Sequence, residues 1–304
     1  MSESQKAPMI AWADAVEELP VTSWQGPYDA ALRERAVRGL EAGKVLLLPR
    51  LPFVIAGEET RFLDAATAGA ARKNISYDSR NGKLANAAVQ GAESERLAGM
   101  MRRFSDGALQ LVSGLFPAYA GSLERARTSF RPQEIEGRAY SPRHDDRRLH
   151  VDAFPSTPMR GRRILRVFTN VAGDGALRHW RVGESFADFA RKFTPRLKAP
   201  LPGSAWLLSQ LHITKSRRSA YDHYMLGLHD GAKLDLDYQA RAPRADLNFA
   251  PGNTWLCYSD QVLHAALSGH GAMEQSFYLP VSAMVDPSTT PLRVLESITG
   301  RALA

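Results

Sequence analysis

Two histidines and one aspartate have the residue types and the spacing of a metal site. His150 and Asp152 flank Val151, and His264 lies far along the chain. In an extended segment, residues two apart point to the same face, so His150 and Asp152 would reach one ion. Two histidines and a carboxylate on one face of an octahedral iron leave positions for a chelating co-substrate and dioxygen. The pattern therefore favours a non-haem Fe(II) oxygenase.

The surroundings of these residues separate them from a second His-x-Asp, formed by His144 and Asp146. That tripeptide lies in a charged run without apolar alternation, which is typical of a solvated loop. His150 instead leads into an apolar segment, and His264 follows a turn, a strand over 254–258 and another turn. For each histidine alone, a surface or core role stays open as the alternative. The pair in these contexts favours the metal site.

Composition and charge limit the class of protein. The 304 residues fit one elaborated domain or two small ones, and 44% of them are apolar. No apolar run is long enough to cross a membrane, no apolar signal core is present, and Cys257 is the single cysteine. These features favour a cytoplasmic protein.

The net charge of +7 favours anionic partners. Arginines concentrate around the metal motif, at Arg143, Arg147, Arg148, Arg160, Arg162, Arg163 and Arg166. A second basic cluster consists of Lys215, Arg217 and Arg218. The alternative interpretation is a solvated basic face. No zinc-finger spacing or RNA-binding motif occurs, so no nucleic-acid partner is expected.

Hydrophobic periodicity divides the chain near residue 130. The N-terminal part is predicted to be mainly helical, with helices at 28–42, 58–71 and 93–115 and a strand at 44–48. Beyond it, helices are predicted at 184–193 and 292–298, a hairpin turn at 229–231, and strands at 148–153, 164–171, 205–211, 223–228, 234–238, 254–258 and 276–283. The fold class is therefore α+β: a double-stranded β-helix, or cupin-like jelly roll, with an N-terminal helical layer. One domain is expected to span 1–304, with helical support over about 1–130 and the jelly-roll core over about 131–304.

A 2-oxoglutarate oxygenase needs a cation for the distal carboxylate of the co-substrate. In many such enzymes an arginine shortly after the last histidine has this role, but Glu274 and Gln275 stand at those positions here. Arg166 lies in a predicted strand, where an arginine is expensive to bury unless it pairs with an anion. Arg166 is therefore predicted to be the carboxylate clamp, with Asn170 and Gln275 as polar helpers. The alternative places Arg166 on the outer face of an edge strand.

The chain resembles the Kdo hydroxylases at several motifs. They are His150-Val151-Asp152-Ala153-Phe154-Pro155-Ser156, the strand from Arg166 to Val171, His264, and Arg72-Lys73-Asn74-Ile75-Ser76-Tyr77-Asp78. The metal triad is shared with the wider 2-oxoglutarate oxygenase superfamily, whereas the two longer strings are more discriminating. The resemblance extends over essentially the whole chain.

The resemblance implies a hydroxylase that uses Fe(II) and 2-oxoglutarate to hydroxylate C3 of 3-deoxy-D-manno-oct-2-ulosonic acid (Kdo). The implied acceptor is the Kdo of lipopolysaccharide or its lipid A precursor, with a peripheral contact at the anionic surface of the inner membrane. The predicted substrate-binding residues are Lys73, Asn74, Tyr77, Arg143 and Arg162. Two alternatives stay open. One is another 2-oxoglutarate oxygenase of this fold acting on a different anionic substrate, and the other is a non-catalytic jelly roll that binds glycolipid.

Overall fold

Two β-sheets that pack face to face form the centre of the protein. The computed structural model describes residues 7–69, 74–137, 140–201 and 203–304. The strands are β1 (Val16–Glu18), β2 (Val45–Leu48), β3 (Ile75–Asp78), β4 (Lys83–Ala85), β5 (Glu124–Arg131), β6 (Arg163–Asn170), β7 (Arg178–Gly183), β8 (Arg244–Phe249), β9 (Thr254–Tyr258), β10 (His264–Ser268) and β11 (Ala272–Leu279). The larger sheet has the order β1-β2-β9-β6-β11-β5-β3-β4, and the smaller has the order β10-β7-β8.

Alternation along β6 explains how the larger sheet is covered on both faces. Leu165 and Val167 point into a core that includes residues of two helices. Phe168 points the other way, into a second core shared with the smaller sheet, where its ring lies 4.9 Å from that of Trp180. Successive side chains of a strand alternate between faces, so one short segment serves both layers. The predicted α+β jelly-roll class is confirmed.

Eight α-helices surround the sheets in the described part of the chain. They are α1 (Trp12–Ala15), α2 (Ala30–Glu41), α3 (Ala92–Leu115), α4 (Phe186–Phe193), α5 (Ser204–Gln210), α6 (Ala220–Leu234), α7 (Leu236–Arg241) and α8 (Pro291–Thr299). The predicted helices at 28–42, 93–115, 184–193 and 292–298 correspond to α2, α3, α4 and α8 and are confirmed. The predicted helix at 58–71 was wrong: the described part of it forms short 3₁₀ turns, Gly57–Leu63 and Ala65–Thr67.

The three strands predicted between residues 205 and 238 were wrong, because this region forms α5, α6 and α7. The predicted hairpin turn at 229–231 lies inside α6. A capping box starts that helix. The Ser219 side chain accepts from the Asp222 backbone N–H, and the Asp222 carboxylate accepts from the Ser219 backbone N–H. Tyr221, Met225 and Leu228 are then buried at helical spacing. The periodicity was present in the sequence and was misassigned to a strand.

The layers do not divide at residue 130. Five of the eight strands of the larger sheet, β1 to β5, come from the N-terminal part that was predicted to be mainly helical. Strand β5 pairs with β11 from near the end of the chain. The single-domain organisation stays a prediction, and this shared sheet supports it. Within the described residues, no helix combines the length and apolar character needed to cross a bilayer.

Candidate active site

Three side chains from distant parts of the chain converge between the sheets. One ligand atom from each of His150, Asp152 and His264 lies within 4.8 Å of the others. The backbone N–H of His150 donates to the His264 carbonyl at 3.1 Å, and the reverse bond is 2.9 Å. The Asp152 N–H donates to the Ser259 carbonyl at 2.8 Å. The predicted strand at 148–153 is therefore reduced to a single bridge, which is enough to hold the ligands beside the start of β10.

Backbone hydrogen bonds orient both imidazole rings. The Nδ1 atoms of His150 and His264 lie 2.7 Å and 2.8 Å from the carbonyl oxygens of Arg148 and Val262, respectively. A carbonyl only accepts, so each Nδ1 carries the proton and each Nε2 keeps a lone pair. This arrangement is the one that a metal-binding histidine needs. His264 also stacks on the Trp180 ring at 5.3 Å, which restricts its rotation.

The protonation states suit a divalent cation. Burial lowers the pKa of His150 and of His264 below the usual value, so both rings are neutral near pH 7. Burial is the largest influence on Asp152 and would raise its pKa, but the positive charge of Arg166 and smaller contributions, which include a hydrogen bond from the Ser259 side chain, together lower it. The site therefore presents two neutral nitrogens and one carboxylate, which is a donor set that fits Fe(II).

Arg166 lies in the pocket beside the triad, between two carboxylates. Its Nη2 is 2.8 Å from Asp152 Oδ2, and its Nη1 is 2.7 Å from Glu274 Oε1. Burial would lower the pKa of Arg166, but the two carboxylates raise it. The alternative that placed Arg166 on an outer face was wrong. These contacts hold one oxygen of Asp152 away from the histidines and leave the other, Oδ1, 3.9 Å from His150 Nε2.

A second guanidinium, Arg178, lines the same pocket with no carboxylate partner among the described residues. Its Nη1 donates to the Gly269 carbonyl at 2.6 Å, and its buried Nε makes no hydrogen bond. Burial and, to a smaller extent, the neighbouring charge of Arg131 lower the pKa of Arg178 to about 9. A buried cation in this state is stabilised by an anionic ligand.

Gly269 sets the position of that carbonyl. Its φ is +102°, and a Cβ added there would lie 2.5 Å from the Leu177 carbonyl oxygen. Only glycine fits this close approach between β10 and β7 without a shift of the backbone. The pocket formed by these elements has a volume of about 150 Å³, with the metal triad at one side and Arg131 and Arg178 at another. The arrangement suits a small dicarboxylate that chelates the metal at one end.

Comparisons with known proteins identify the family. The profile of the 3-deoxy-D-manno-oct-2-ulosonic acid (Kdo) hydroxylase family matches residues 23–302. The chain belongs to the Kdo hydroxylase family. A crystal structure of the Kdo hydroxylase KdoO with α-ketoglutarate (2-oxoglutarate) and Fe(III) is 43% identical, covers 95% of this chain and 97% of that chain, and has a TM-score of 0.92. The cobalt(II) complex and the apo structure of KdoO are 44% identical, with the same coverage and TM-score. The search of curated proteins finds no match.

Two of the three residues predicted to bind the co-substrate have other partners in this Kdo hydroxylase. The Asn170 amide donates to the carbonyls of Ala176 and Phe249, and its oxygen accepts from the Ala172 N–H. The Gln275 amide contacts the Thr128 hydroxyl and backbone carbonyls, and it is fully buried. Both amides are committed to the fold, and neither side chain lines the pocket. Their role in binding the co-substrate stays a prediction, and these contacts support a structural role instead.

The predicted substrate-binding residues are dispersed. Lys73 lies outside the described residues. Asn74 donates to the Ser129 hydroxyl at 3.0 Å, and Tyr77 is buried in an apolar core. Arg143 is exposed and pairs with Asp230, whereas Arg162 pairs with Glu124 and lies over the Tyr278 ring. None of these four described residues lines the pocket of the triad. Arg162 lines a separate small crevice, and Asp152 lines both that crevice and the pocket. Their roles stay predictions.

The second His-x-Asp lies just before the metal motif. His144 is exposed on a 3₁₀ turn, and its Nδ1 contacts the Ser141 hydroxyl at 2.7 Å. Asp145 is buried and holds Arg147, so the segment is not simply a solvated loop. Asp146 lines the pocket and lies 3.8 Å from Arg131. His144 is not among the residues whose ligand atoms converge in the candidate metal site.

Sequence reasoning missed Arg131, Arg178 and Trp180. Strand β7, which carries Arg178 and Trp180, was not predicted at all. The signal available in the sequence was the strand-like alternation of Trp180 and Val182 with the polar His179 and Arg181. The structure buries Arg178 on the same face as Trp180 and Val182. Arg131 ends β5, another strand that was not predicted.

Proposed function

We propose that this protein hydroxylates C3 of Kdo in lipopolysaccharide or its lipid A precursor, using Fe(II) and 2-oxoglutarate. One observation carries the proposal: the three candidate ligand atoms lie within 4.8 Å of one another in a pocket that also holds a buried arginine, and that arginine has no carboxylate partner in the described part of the chain. Bound Fe(II) supplies the oxidation of an unactivated C–H bond to C–OH by O₂, with 2-oxoglutarate converted to succinate and CO₂.

Different residues of the site would bind the metal, orient its ligands and exclude water. His150, Asp152 and His264 would hold the metal through their converging nitrogen and carboxylate oxygen atoms. Arg166 orients Asp152 by its contact with Oδ2 and keeps that carboxylate ionised. Trp180 and Phe168 form an apolar wall of the pocket, which excludes water from one side of the reacting groups.

The co-substrate carboxylate has two candidate partners. The assignment of this role to Arg166 stays a prediction, since that side chain lines the pocket. Its contacts with Asp152 and Glu274 already balance its charge, whereas Arg178 donates to a carbonyl and pairs with no carboxylate among the described residues. We therefore favour Arg178 as the clamp, with Arg131 adding positive charge beside it.

The acceptor is proposed from the chemistry of Kdo and the family. Kdo carries a carboxylate, and its lipid A anchor carries phosphates, both of which suit a basic rim around the metal motif. A peripheral contact with the anionic face of the inner membrane belongs to the same proposal. A different anionic acceptor remains the alternative within this reaction class.

The first experiment tests metal and co-substrate binding apart from turnover. Under anaerobic conditions, Fe(II) plus 2-oxoglutarate should produce the charge-transfer absorption of the chelate in the wild type and not in Asp152→Ala. A glycolipid-binding jelly roll without catalytic activity would show no such band.

The second experiment tests the acceptor. Air is admitted in the presence of a Kdo saccharide, and the products are followed by mass spectrometry. We expect succinate together with an increase of about 16 Da in the mass of the Kdo unit, which is the mass of one added oxygen. Succinate without modified Kdo would point to another acceptor.

A further inference from the structure

The segment from residue 189 to residue 221 has an unusual charge pattern. It contains no aspartate or glutamate and seven basic residues, which are Arg191, Lys192, Arg196, Lys198, Lys215, Arg217 and Arg218. Asp188 and Asp222 lie just outside its two ends. Such a one-signed stretch attracts an anionic surface.

The centre of this segment exposes large apolar side chains. Trp206, Leu207, Leu211 and Ile213 are each more than half exposed, at 57%, 51%, 60% and 53%. They lie on and just after α5, a seven-residue helix in which no side chain that the structure describes is fully buried. A helix this short depends on packing for its stability, yet its apolar residues face outwards. An exposed apolar cluster with a basic border indicates a docking surface.

Two hydrogen bonds to backbone carbonyls hold this surface beside the metal motif. The Lys215 N–H donates to the Ser156 carbonyl at 2.9 Å, and the Arg218 guanidinium donates to the Pro155 carbonyl. These two carbonyls follow Asp152 closely in the chain. The intervening Thr214 is buried, so the end of the exposed segment is firmly attached to the segment that carries a metal ligand.

We propose that this surface docks the protein on an anionic lipid bilayer. It consists of Trp206, Leu207, Leu211 and Ile213, and its basic border consists of Lys198, Lys215 and Arg217. Charge complementarity favours this occupant. Basic residues lie on both sides of the apolar cluster in the chain. Arg191, Lys192 and Arg196 pair with Asp188, Glu184 and Asp235, respectively. On the other side of the cluster, Lys215 and Arg217 have no ion pair among the described residues. Tryptophan and leucine bordered by lysine and arginine suit the boundary between lipid headgroups and acyl chains. Docking through this surface would bring a lipid-anchored sugar to the metal site, and this consequence rests on the proposed function.

The test uses vesicles of phosphatidylcholine alone and vesicles that also contain phosphatidylglycerol. Wild-type protein should co-sediment with the anionic vesicles and bind the neutral ones less. The variant Trp206→Ser/Leu207→Ser/Leu211→Ser should bind anionic vesicles at least about tenfold more weakly, because the buried apolar area is lost. The control Val54→Ser/Leu236→Ser/Val285→Ser removes apolar residues that are 71%, 67% and 65% exposed elsewhere, and it should bind like the wild type.

A second variant and a pair of acceptors complete the design. Lys215→Gln/Arg217→Gln should weaken vesicle binding and reduce its dependence on salt. The triple serine variant should lose turnover of a vesicle-embedded Kdo lipid in proportion to binding. It should keep turnover of a deacylated, water-soluble Kdo saccharide, which also verifies that it is folded.

Three results would overturn the docking proposal. They are wild-type protein that ignores anionic vesicles, a triple serine variant that still binds them, and a shift from dimer to monomer in that variant, which would make a second copy the occupant. Failure of the proposed function has a different signature. In that case the wild type modifies neither acceptor, while the difference in vesicle binding between wild type and variant persists and supports docking.

Discussion

Replacing Arg178 by methionine tests how the pocket recognises the co-substrate. The substitution keeps most of the side-chain volume and removes the charge that is buried opposite the metal triad. In the wild type this guanidinium donates to the Gly269 carbonyl and has no carboxylate partner in the described part of the chain. We expect Arg178→Met to weaken 2-oxoglutarate binding far more than Fe(II) binding.

The size of the effect follows from the burial of Arg178. Truncating one partner of a buried charge pair costs about 2–5 kcal/mol. Arg131 remains nearby and supplies part of the positive charge, so the lower part of the range applies. A loss of about 2–3 kcal/mol corresponds to about 30- to 150-fold in the dissociation constant of 2-oxoglutarate.

The free protein should respond in the opposite direction. Burial lowers the pKa of Arg178 to about 9, which means that folding penalises the charged form. The methionine variant escapes this penalty and loses one hydrogen bond, worth about 1 kcal/mol. Its free energy of unfolding without ligands should therefore equal or exceed that of the wild type.

The same shift predicts a pH dependence with a definite sign. Below pH 9 both the folded and the unfolded wild type carry the Arg178 proton, and the penalty on the folded state is complete. As the pH rises through 9, the folded state loses this proton before the unfolded state does, so the penalty declines. The stability advantage of Arg178→Met over the wild type should shrink, and wild-type affinity for 2-oxoglutarate should fall.

The assay compares three arginine variants. Anaerobic titration of the Fe(II) complex with 2-oxoglutarate gives the dissociation constant, and urea denaturation gives the stability. Arg181→Met is the matched control, since Arg181 lies on the same strand but pairs with Asp246 near the surface. Arg166→Met tests the sequence-based assignment. If it alone raises the dissociation constant while Arg178→Met behaves like the control, the clamp is Arg166 and the argument from buried charge is refuted.

Three further predictions concern the triad and its support. Asp152→Ala should abolish turnover while circular dichroism stays unchanged, and an active variant would exclude this carboxylate as a ligand. His144→Ala should retain Fe(II) in equilibrium dialysis, whereas His150→Ala should lose it; equal losses would mean that the wrong tripeptide was chosen. Asp260→Ala should lower the free energy of unfolding by about 3–5 kcal/mol in urea, because it leaves Arg163, 2.7 Å away, as an unpaired buried charge. Adding Arg163→Met should restore part of that loss, and simple additivity would contradict the pairing.

Local sequence patterns were sufficient to predict which three side chains come together as the candidate metal site and to predict several of the surrounding elements. The alternation of β6 placed Arg166 and Phe168 on one face, and the structure has both lining the pocket. The long α3 and the short α8 were also predicted correctly, since their apolar residues recur at helical spacing. These features depend on residues close together in the chain, so a single sequence contains the information.

The helical region from α5 to α7 shows where local patterns fail. Its short apolar runs fit either a strand or a helix, and for α6 and the start of α7 only packing against α4 and α8 decides between them. Because these runs were assigned to strands, the predicted jelly roll included the wrong residues. It also omitted β7 and β8, which form most of the smaller sheet.

The chain by itself determined which residues form the candidate metal triad, because His150 and Asp152 are two apart and His264 follows its own recognisable turn. The tertiary structure alone decided what surrounds them. Arg131 ends a strand of the larger sheet and Arg178 begins one in the smaller, so no spacing along the chain relates the two side chains. They meet because the sheets pack face to face. The environment of a buried charge follows from that packing, in which Arg166 faces two carboxylates and Arg178 faces a carbonyl.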